Sequence, residues 1–285
     1  MNNLNAFEMV QQVRTKMDET GITSGKWSDS EILREMNLSK TYFVNLINTI
    51  NEKINGRTGS ITYVSGTELY DLPKDLDSIK RIEVTSTKQK VDPINVDEKE
   101  LYRADNDLFT PNPVYYMWGN QVGLVNVSGN VTIYYLRRIP NLHYGTVSAL
   151  AATSLTFDLT PNGSTANDYT VKQIDDYYIG AYIDVYSGTG AGQIAKITDY
   201  VGSTKVATVA TWATNPDTSS LYALKYDLPN EVDECVILKT VLGLYPKDRT
   251  KDIGSIGQLL SLAQKALTDG LTRSKERTFV EYWGN

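Results

Sequence analysis

Tyr70-Asp71-Leu72-Pro73 and Tyr226-Asp227-Leu228-Pro229 are the same tetrapeptide, and the two copies divide the 285-residue chain into helical ends and a β-rich middle. Upstream of the first copy, Leu4, Phe7, Val10, Arg14 and Met17 recur at helical spacing and predict a short helix ending near Gly21. A polar turn, Thr23-Ser24-Gly25, follows. Trp27-Ser28-Asp29-Ser30-Glu31-Ile32-Leu33 then starts a second helix, with Ser28 and Glu31 spaced as a capping box. Its apolar stripe runs through Ile32, Met36, Phe43, Ile47, Ile50 and Ile54 and ends near Asn55 and Gly56. Downstream of the second copy, Pro229 suits a first helical position, where its missing N–H costs nothing. Val232, Cys235, Val236, Lys239 and Leu242 form one face of a helix that stops before Pro246. Ile253, Ile256, Leu260, Ala263, Leu267 and Leu271 form the face of a final helix. Neither helix pair can bury its stripe alone, and packing one pair on the other solves this.

The middle reads as β structure. Ser60–Val64 and Thr67–Leu69 are expected to pair across Ser65-Gly66, followed by strands over Ser78–Thr85, Pro111–Tyr116, Gln121–Val127 and Asn130–Arg137. Gly119-Asn120 and Gly129-Asn130 are the turns. A short helix fits Asp97–Asp105. Composition changes at Pro140: from Leu142 to Leu224 charge is sparse, and Thr, Ser, Gly, Ala, Tyr and Val dominate, as in short strands and turns. The fold class expected is α+β. A bundle of N-terminal helices (1–60) and C-terminal helices (226–272) carries a small antiparallel lobe (61–139) and an inserted β-barrel or sandwich module (140–225), and a C-terminal arm (273–285) ends the chain.

Charge and composition exclude several functions. The formal net charge is -6, and no long Lys/Arg run occurs, so tight nucleic-acid binding by phosphate neutralisation is not expected. One Cys and one His leave no intrachain disulfide and no Cys/His zinc set. Met1–Val10 is polar and no apolar run approaches ~18 residues, so neither a signal peptide nor a membrane span is expected, and synthesis is expected in the cytoplasm. The 19 Tyr residues suit half-exposed strands and interfaces alike.

Candidate chemistry reduces to structural readings. Gly188-x-Gly190-x-Gly192 is not the dinucleotide pattern, and a strand-like segment rather than a helix follows it. No Lys-Ser/Thr follows either, so the glycines read as a β-turn. Asp75/Asp77, Asp105/Asp107 and Asp175/Asp176 sit where turns need Asp. Asp105-Asn106-Asp107 lacks the Gly and Glu of a calcium loop. His143 reads as a linker residue at the module boundary, and Cys235 as a small core residue on a helix. No enzyme, cofactor or metal is expected.

Three stretches carry a resemblance. They are Trp27–Asn37, Tyr70–Val84 with its Leu-Pro and following strand, and Leu228–Tyr245 with Leu-Pro-x-Glu opening an apolar helix. In this order they are similar to the head-to-tail adaptor (connector) proteins of tailed bacteriophages. The 140–225 segment resembles a β module of phage virion proteins through Asp176-Tyr177-Tyr178-Ile179-Gly180, Ser187–Gln193, Ile197–Tyr200 and Trp212 to Tyr222. The resemblance implies a structural protein of the virion neck: a homo-oligomeric, dodecameric ring between portal and tail that extends the DNA channel. Its partners would be the portal protein, tail or neck proteins, other copies of itself, and double-stranded DNA passing without specific binding. It also implies a C-terminal arm that docks on the portal, here Arg273, Lys275 and Arg277 followed by Phe279, Tyr282 and Trp283. The alternative is a tail- or fibre-associated protein whose module binds a host glycan, for which Tyr177, Tyr178 or Trp212 would have to be exposed.

Overall fold

The computed structural model describes residues 3–17, 27–103, 112–161, 170–244 and 253–281, the side chains of 150, 253 and 276–281 excepted. The fold is α+β. The chain divides into two compact units, one of residues 1–54 with 139–285 and one of residues 55–138.

The first unit holds α1 (Ala6–Lys16), α2 (Asp29–Ile50), α4 (Glu231–Leu244) and α5 (Ile253–Glu281). Both N-terminal helices start on capping boxes, Asn5 with Glu8 and Ser28 with Glu31. α2 gives way to a turn of 3-10 helix at Glu52–Ile54. α4 packs on α1, α2 and α5. It is therefore buried nearly all round rather than on one face: Val232, Cys235, Val236, Ile237, Leu238, Val241 and Leu244 all lie inside. Thr240 is tolerated there because its hydroxyl donates to the Val236 carbonyl at 2.7 Å. One apolar cluster joins Val232, Cys235, Val236, Ile237, Val241 and Leu244 to Met9, Val13, Trp27, Met36, Phe43, Leu267 and Leu271.

The same unit contains a seven-stranded antiparallel sheet among the described residues. Its strands are β8 (Tyr144–Thr146), β9 (Ala149–Ala151), β10 (Ser154–Thr156), β11 (Tyr182–Ser187), β12 (Ile194–Val201), β13 (Val206–Val209) and β14 (Leu221–Lys225), in the order β8-β14-β11-β12-β13-β10-β9. Phe157 sits at the centre of its core. Its ring stacks on Tyr222 at 5.0 Å and on Tyr200 at 5.7 Å, and meets Tyr178 edge-on at 5.5 Å. α1 packs on this sheet, where Phe7 stacks on Tyr186 at 4.6 Å and meets Tyr144 at 5.6 Å.

The second unit is a seven-stranded mixed sheet with a short helix. Its elements are β1 (Gly56–Ile61), β2 (Leu69–Asp71), β3 (Leu76–Val84), β4 (Lys90–Pro93), α3 (Lys99–Arg103), β5 (Val114–Trp118), β6 (Gln121–Val125) and β7 (Val131–Arg137). The order is β1-β7-β3-β4-β5-β6-β2, and because β4 and β5 run parallel the lobe is mixed rather than antiparallel as expected. The expected pairing of the first two strands across Ser65-Gly66 is not found. β1 pairs with β7 and β2 with β6, at opposite edges of the sheet. The turn itself exists, with Gly66 at φ 84°. The Tyr70 hydroxyl locks it, accepting from Val64 N–H at 3.2 Å and lying 3.0 and 2.9 Å from the Val64 and Thr67 carbonyls. The loop therefore folds on itself instead of joining two neighbouring strands.

Candidate functional site

His143, Cys235, the glycine turn, Asp75 and Asp175 all have structural roles. His143 is not a linker residue: it is fully buried, with Tyr222 at 5.8 Å and Phe157 at 6.0 Å. Burial pushes its pKa down to about 3, so the ring is neutral and enclosed. Cys235 is buried in the helical core, and burial pushes its thiol up to about 11. Gly188, Gly190 and Gly192 all have positive φ, as turn glycines require. Gln193 braces that turn, donating to the Gly190 and Thr214 carbonyls at 2.9 and 2.7 Å. Asp175 accepts from the Gly202 N–H at 2.8 Å, and Asp75 from the Tyr135 hydroxyl at 2.8 Å. Asp105, Asn106 and Asp107 lie outside the described residues. Tyr178 and Trp212 are buried and Tyr177 is half-buried, so the exposed aromatic surface that a glycan-binding module would need is not formed by them. Among the described residues no group of His, Cys, Asp or Glu could hold a metal ion, and no helix is long and apolar enough to cross a membrane.

The site the fold builds is a polar clasp on α2. Its apolar stripe lacks an apolar residue between Met36 and Phe43, and Asn37 and Lys40 occupy that gap. Both side chains are buried and face the segment 139–142. Asn37 accepts from the Leu142 N–H at 2.7 Å and donates to its carbonyl at 3.2 Å. Lys40 donates to the Pro140 carbonyl at 2.6 Å, the Ile139 carbonyl at 3.2 Å and the Asn141 side-chain oxygen at 3.4 Å. Burial lowers the Lys40 pKa to about 7. The gap in the stripe was the available sequence signal, because polar residues at i and i+3 on an apolar face need partners inside the fold.

A second set of polar contacts surrounds the N-terminus of α4. Asn3 donates to the Leu228 carbonyl at 2.6 Å, and the Leu4 N–H donates to Asp233 at 2.8 Å. Burial pushes Asp233 up to about 6. Tyr226 is buried here and its hydroxyl approaches the Met9 sulfur at 3.8 Å. Nearby, Arg14 and Asp29 form a buried ion pair at 2.5 Å, and Arg14 also donates to the Trp27 carbonyl at 2.9 Å. Within the second unit, Glu68 takes the Tyr116 hydroxyl, Arg103 at 2.7 Å and Lys99 at 3.2 Å, which tie α3 to the sheet. The Tyr116 hydroxyl and then Arg103 hold the Glu68 carboxyl down to about 2.

The arm is only partly within view. α5 runs to Glu281, past Leu271, the last of its residues in the core cluster. Asn51 contacts the Leu271 carbonyl at 3.4 Å. Arg273 and Lys275 are exposed on the helix beyond. The side chains of Arg277 and Phe279, and all of Tyr282 and Trp283, lie outside the described residues.

The family model of the SU10 adaptor protein matches residues 4–181. This range takes in α1 to α3 and strands β1 to β10, and ends just before β11; α4 and α5 follow it. No curated protein matches the chain.

Proposed function

We propose that this chain, which belongs to the SU10 adaptor protein family, a family of phage head-to-tail adaptors, forms a ring in the virion neck, beneath the portal and above the tail, and extends the DNA channel. The observation that carries the reading is the family match across residues 4–181. In this reading several copies, twelve if they follow the portal's symmetry, assemble into a homo-oligomeric ring. The helical body of residues 1–60 and 226–272 makes the ring contacts. The lobe of residues 61–139 and the module of residues 140–225 meet tail or neck proteins. The arm, residues 273–285, enters the portal through Arg273, Lys275, Arg277, Phe279, Tyr282 and Trp283.

The charge balance supports passage rather than capture of DNA. A net charge of -6 disfavours phosphate binding and keeps the channel wall from retaining DNA. The aromatic and basic residues of the arm are of the types that serve as interface hot spots. The test is co-sedimentation of the chain with portal particles from the same phage, followed by electron microscopy. The expected result is an added ring on one face of the portal. Portal particles that carry no added density at saturating protein overturn the proposal.

A further inference from the structure

Two helices of the first unit each present an unfilled apolar row. On α2, Arg34, Leu38 and Tyr42 are spaced by four and share one side of the helix. Leu38 is 61% exposed and Tyr42 48%. The Tyr42 ring is held in place by the Lys239 ammonium, 4.5 Å from its centre, and by the edge of Phe43 at 5.1 Å. On α5, Ile256, Leu260, Ala263, Leu267 and Leu271 face the core. Leu259, Leu262, Ala266 and Asp269 form a different row, roughly a quarter-turn or more around the helix by the 100° step per residue. All four are exposed, Leu259 at 52% and Leu262 at 65%. Gly254, Gly257 and Ser261 lie beside Leu262 and leave a shallow trough.

Single exposed leucines need no explanation, but two apolar rows, each closed by a charge of opposite sign, do. Arg34 ends the α2 row and Asp269 the α5 row. Neither side chain pairs with another side chain among the described residues. The spacing also matches. Arg34 to Tyr42 rises about 12 Å and Asp269 to Leu262 about 10.5 Å, at 1.5 Å per residue. Laid antiparallel, Arg34 meets Asp269, Leu38 meets Ala266, and Tyr42 meets Leu262 and the trough beside it.

We infer that the α5 row of one copy docks on the α2 row of a second copy. The two surfaces differ, so the contact is head-to-tail and propagates from copy to copy, which closes into a ring when the rotation allows. The inference rests on the ring-forming reading and names the surfaces that make the ring.

Leu38→Cys and Leu262→Cys, made as separate variants, test it directly. Cys235 is buried, so it does not compete for cross-linking. Mixed at high concentration and oxidised, the two variants are expected to give covalent dimers far in excess of either variant alone. In sedimentation, Arg34→Asp and Asp269→Arg are each expected to weaken self-association about tenfold or more, and the combined variant to restore it. If wild-type protein self-associates but the mixture cross-links no better than each variant alone, this interface is wrong and the ring stands. If wild type stays monomeric both alone and on portal particles, both fall.

Discussion

One side chain satisfies both backbone groups of Leu142: the Asn37 carboxamide accepts from its N–H at 2.7 Å and donates to its carbonyl at 3.2 Å. A strand neighbour would make the same pair of bonds, but here a helix side chain makes them. Leu142 is thereby held as a strand residue would be, one residue before the buried His143 and two before β8.

Asn37→Leu removes both bonds to this buried stretch of backbone. The expected loss is about 1–3 kcal/mol of unfolding free energy, at about 0.5–1.5 kcal/mol for each hydrogen bond removed. Urea denaturation with an unchanged m-value measures it. A loss below about 0.5 kcal/mol, the size of an ordinary surface substitution, shows that Asn37 does not hold the segment.

Lys40 sets a pH dependence. Its folded pKa is lowered to about 7 from 10.5, so above pH 7 the unfolded chain binds the extra proton. Stability from this group is then lowest below pH 7 and rises with pH toward 10.5, by up to about 1.4 kcal/mol per unit. Cys235, raised to about 11, acts in the opposite sense above pH 9, so the clean window is pH 7 to 9. Lys40→Met is expected to flatten the rise in that window. Equal slopes for variant and wild type exclude a buried, depressed Lys40.

Asp233 gives the reverse case. Its pKa is raised to about 6 from 3.8, so the folded chain holds the proton more tightly and stability falls as pH climbs through that interval. Asp233→Asn can keep the bond from Leu4 while removing the buried charge. Between pH 4 and 7 the variant is expected to gain roughly 1–3 kcal/mol on wild type. Thermal midpoints recorded across this range decide it, and parallel profiles for the two proteins refute the assignment.

The glycine cluster separates backbone strain from crowding. Gly188 has φ 82°, and an added Cβ would stand 2.7 Å from Ser220 Cα. Gly192 has φ 88° but open space around it. Alanine at 192 is expected to cost about 1 kcal/mol for the left-handed conformation, and alanine at 188 about 2–4 kcal/mol once the clash is added. Equal losses at the two sites in chemical denaturation would mean the backbone at Gly188 yields.

Local signals read true where local bonds decide the outcome. The Ser28–Glu31 box starts α2, and the buried face of α5 is the one its spacing marks. Long-range pairing was not legible. The two Tyr-Asp-Leu-Pro copies look alike, yet Tyr70 locks a turn within its own loop while Tyr226 is buried against Met9 of α1. α4 carries Lys239 and so reads as one-sided, but three helices enclose it and bury nearly its whole circumference. His143 stands at a change of composition and reads as a linker, because the aromatic residues that enclose it, Phe157 and Tyr222, are brought to it by the folding of the sheet rather than by neighbouring sequence.

Truncation after Ser274 tests the arm apart from the fold. The removed residues lie beyond Leu271, the last core residue of α5 in the described structure, and beyond the Asn51 contact that marks the same point. Leu267 and Leu271 stay in place, so the melting midpoint is expected to move by less than about 2 °C, as for a change of a few tenths of a kcal/mol in a chain of this size. Attachment to portal particles should fall far more. The segment carries Arg277, Phe279, Tyr282 and Trp283, and a single aromatic hot spot is worth roughly 2 kcal/mol or more per copy. In a ring that difference is multiplied, because neighbouring copies raise one another's effective concentration. Tyr282→Ala with Trp283→Ala should reproduce most of the loss without shortening the helix. Co-sedimentation measures the binding and circular dichroism the fold. A truncated chain that keeps its fold and binds portal as well as the full chain removes the arm from the attachment and leaves the helical body to make it.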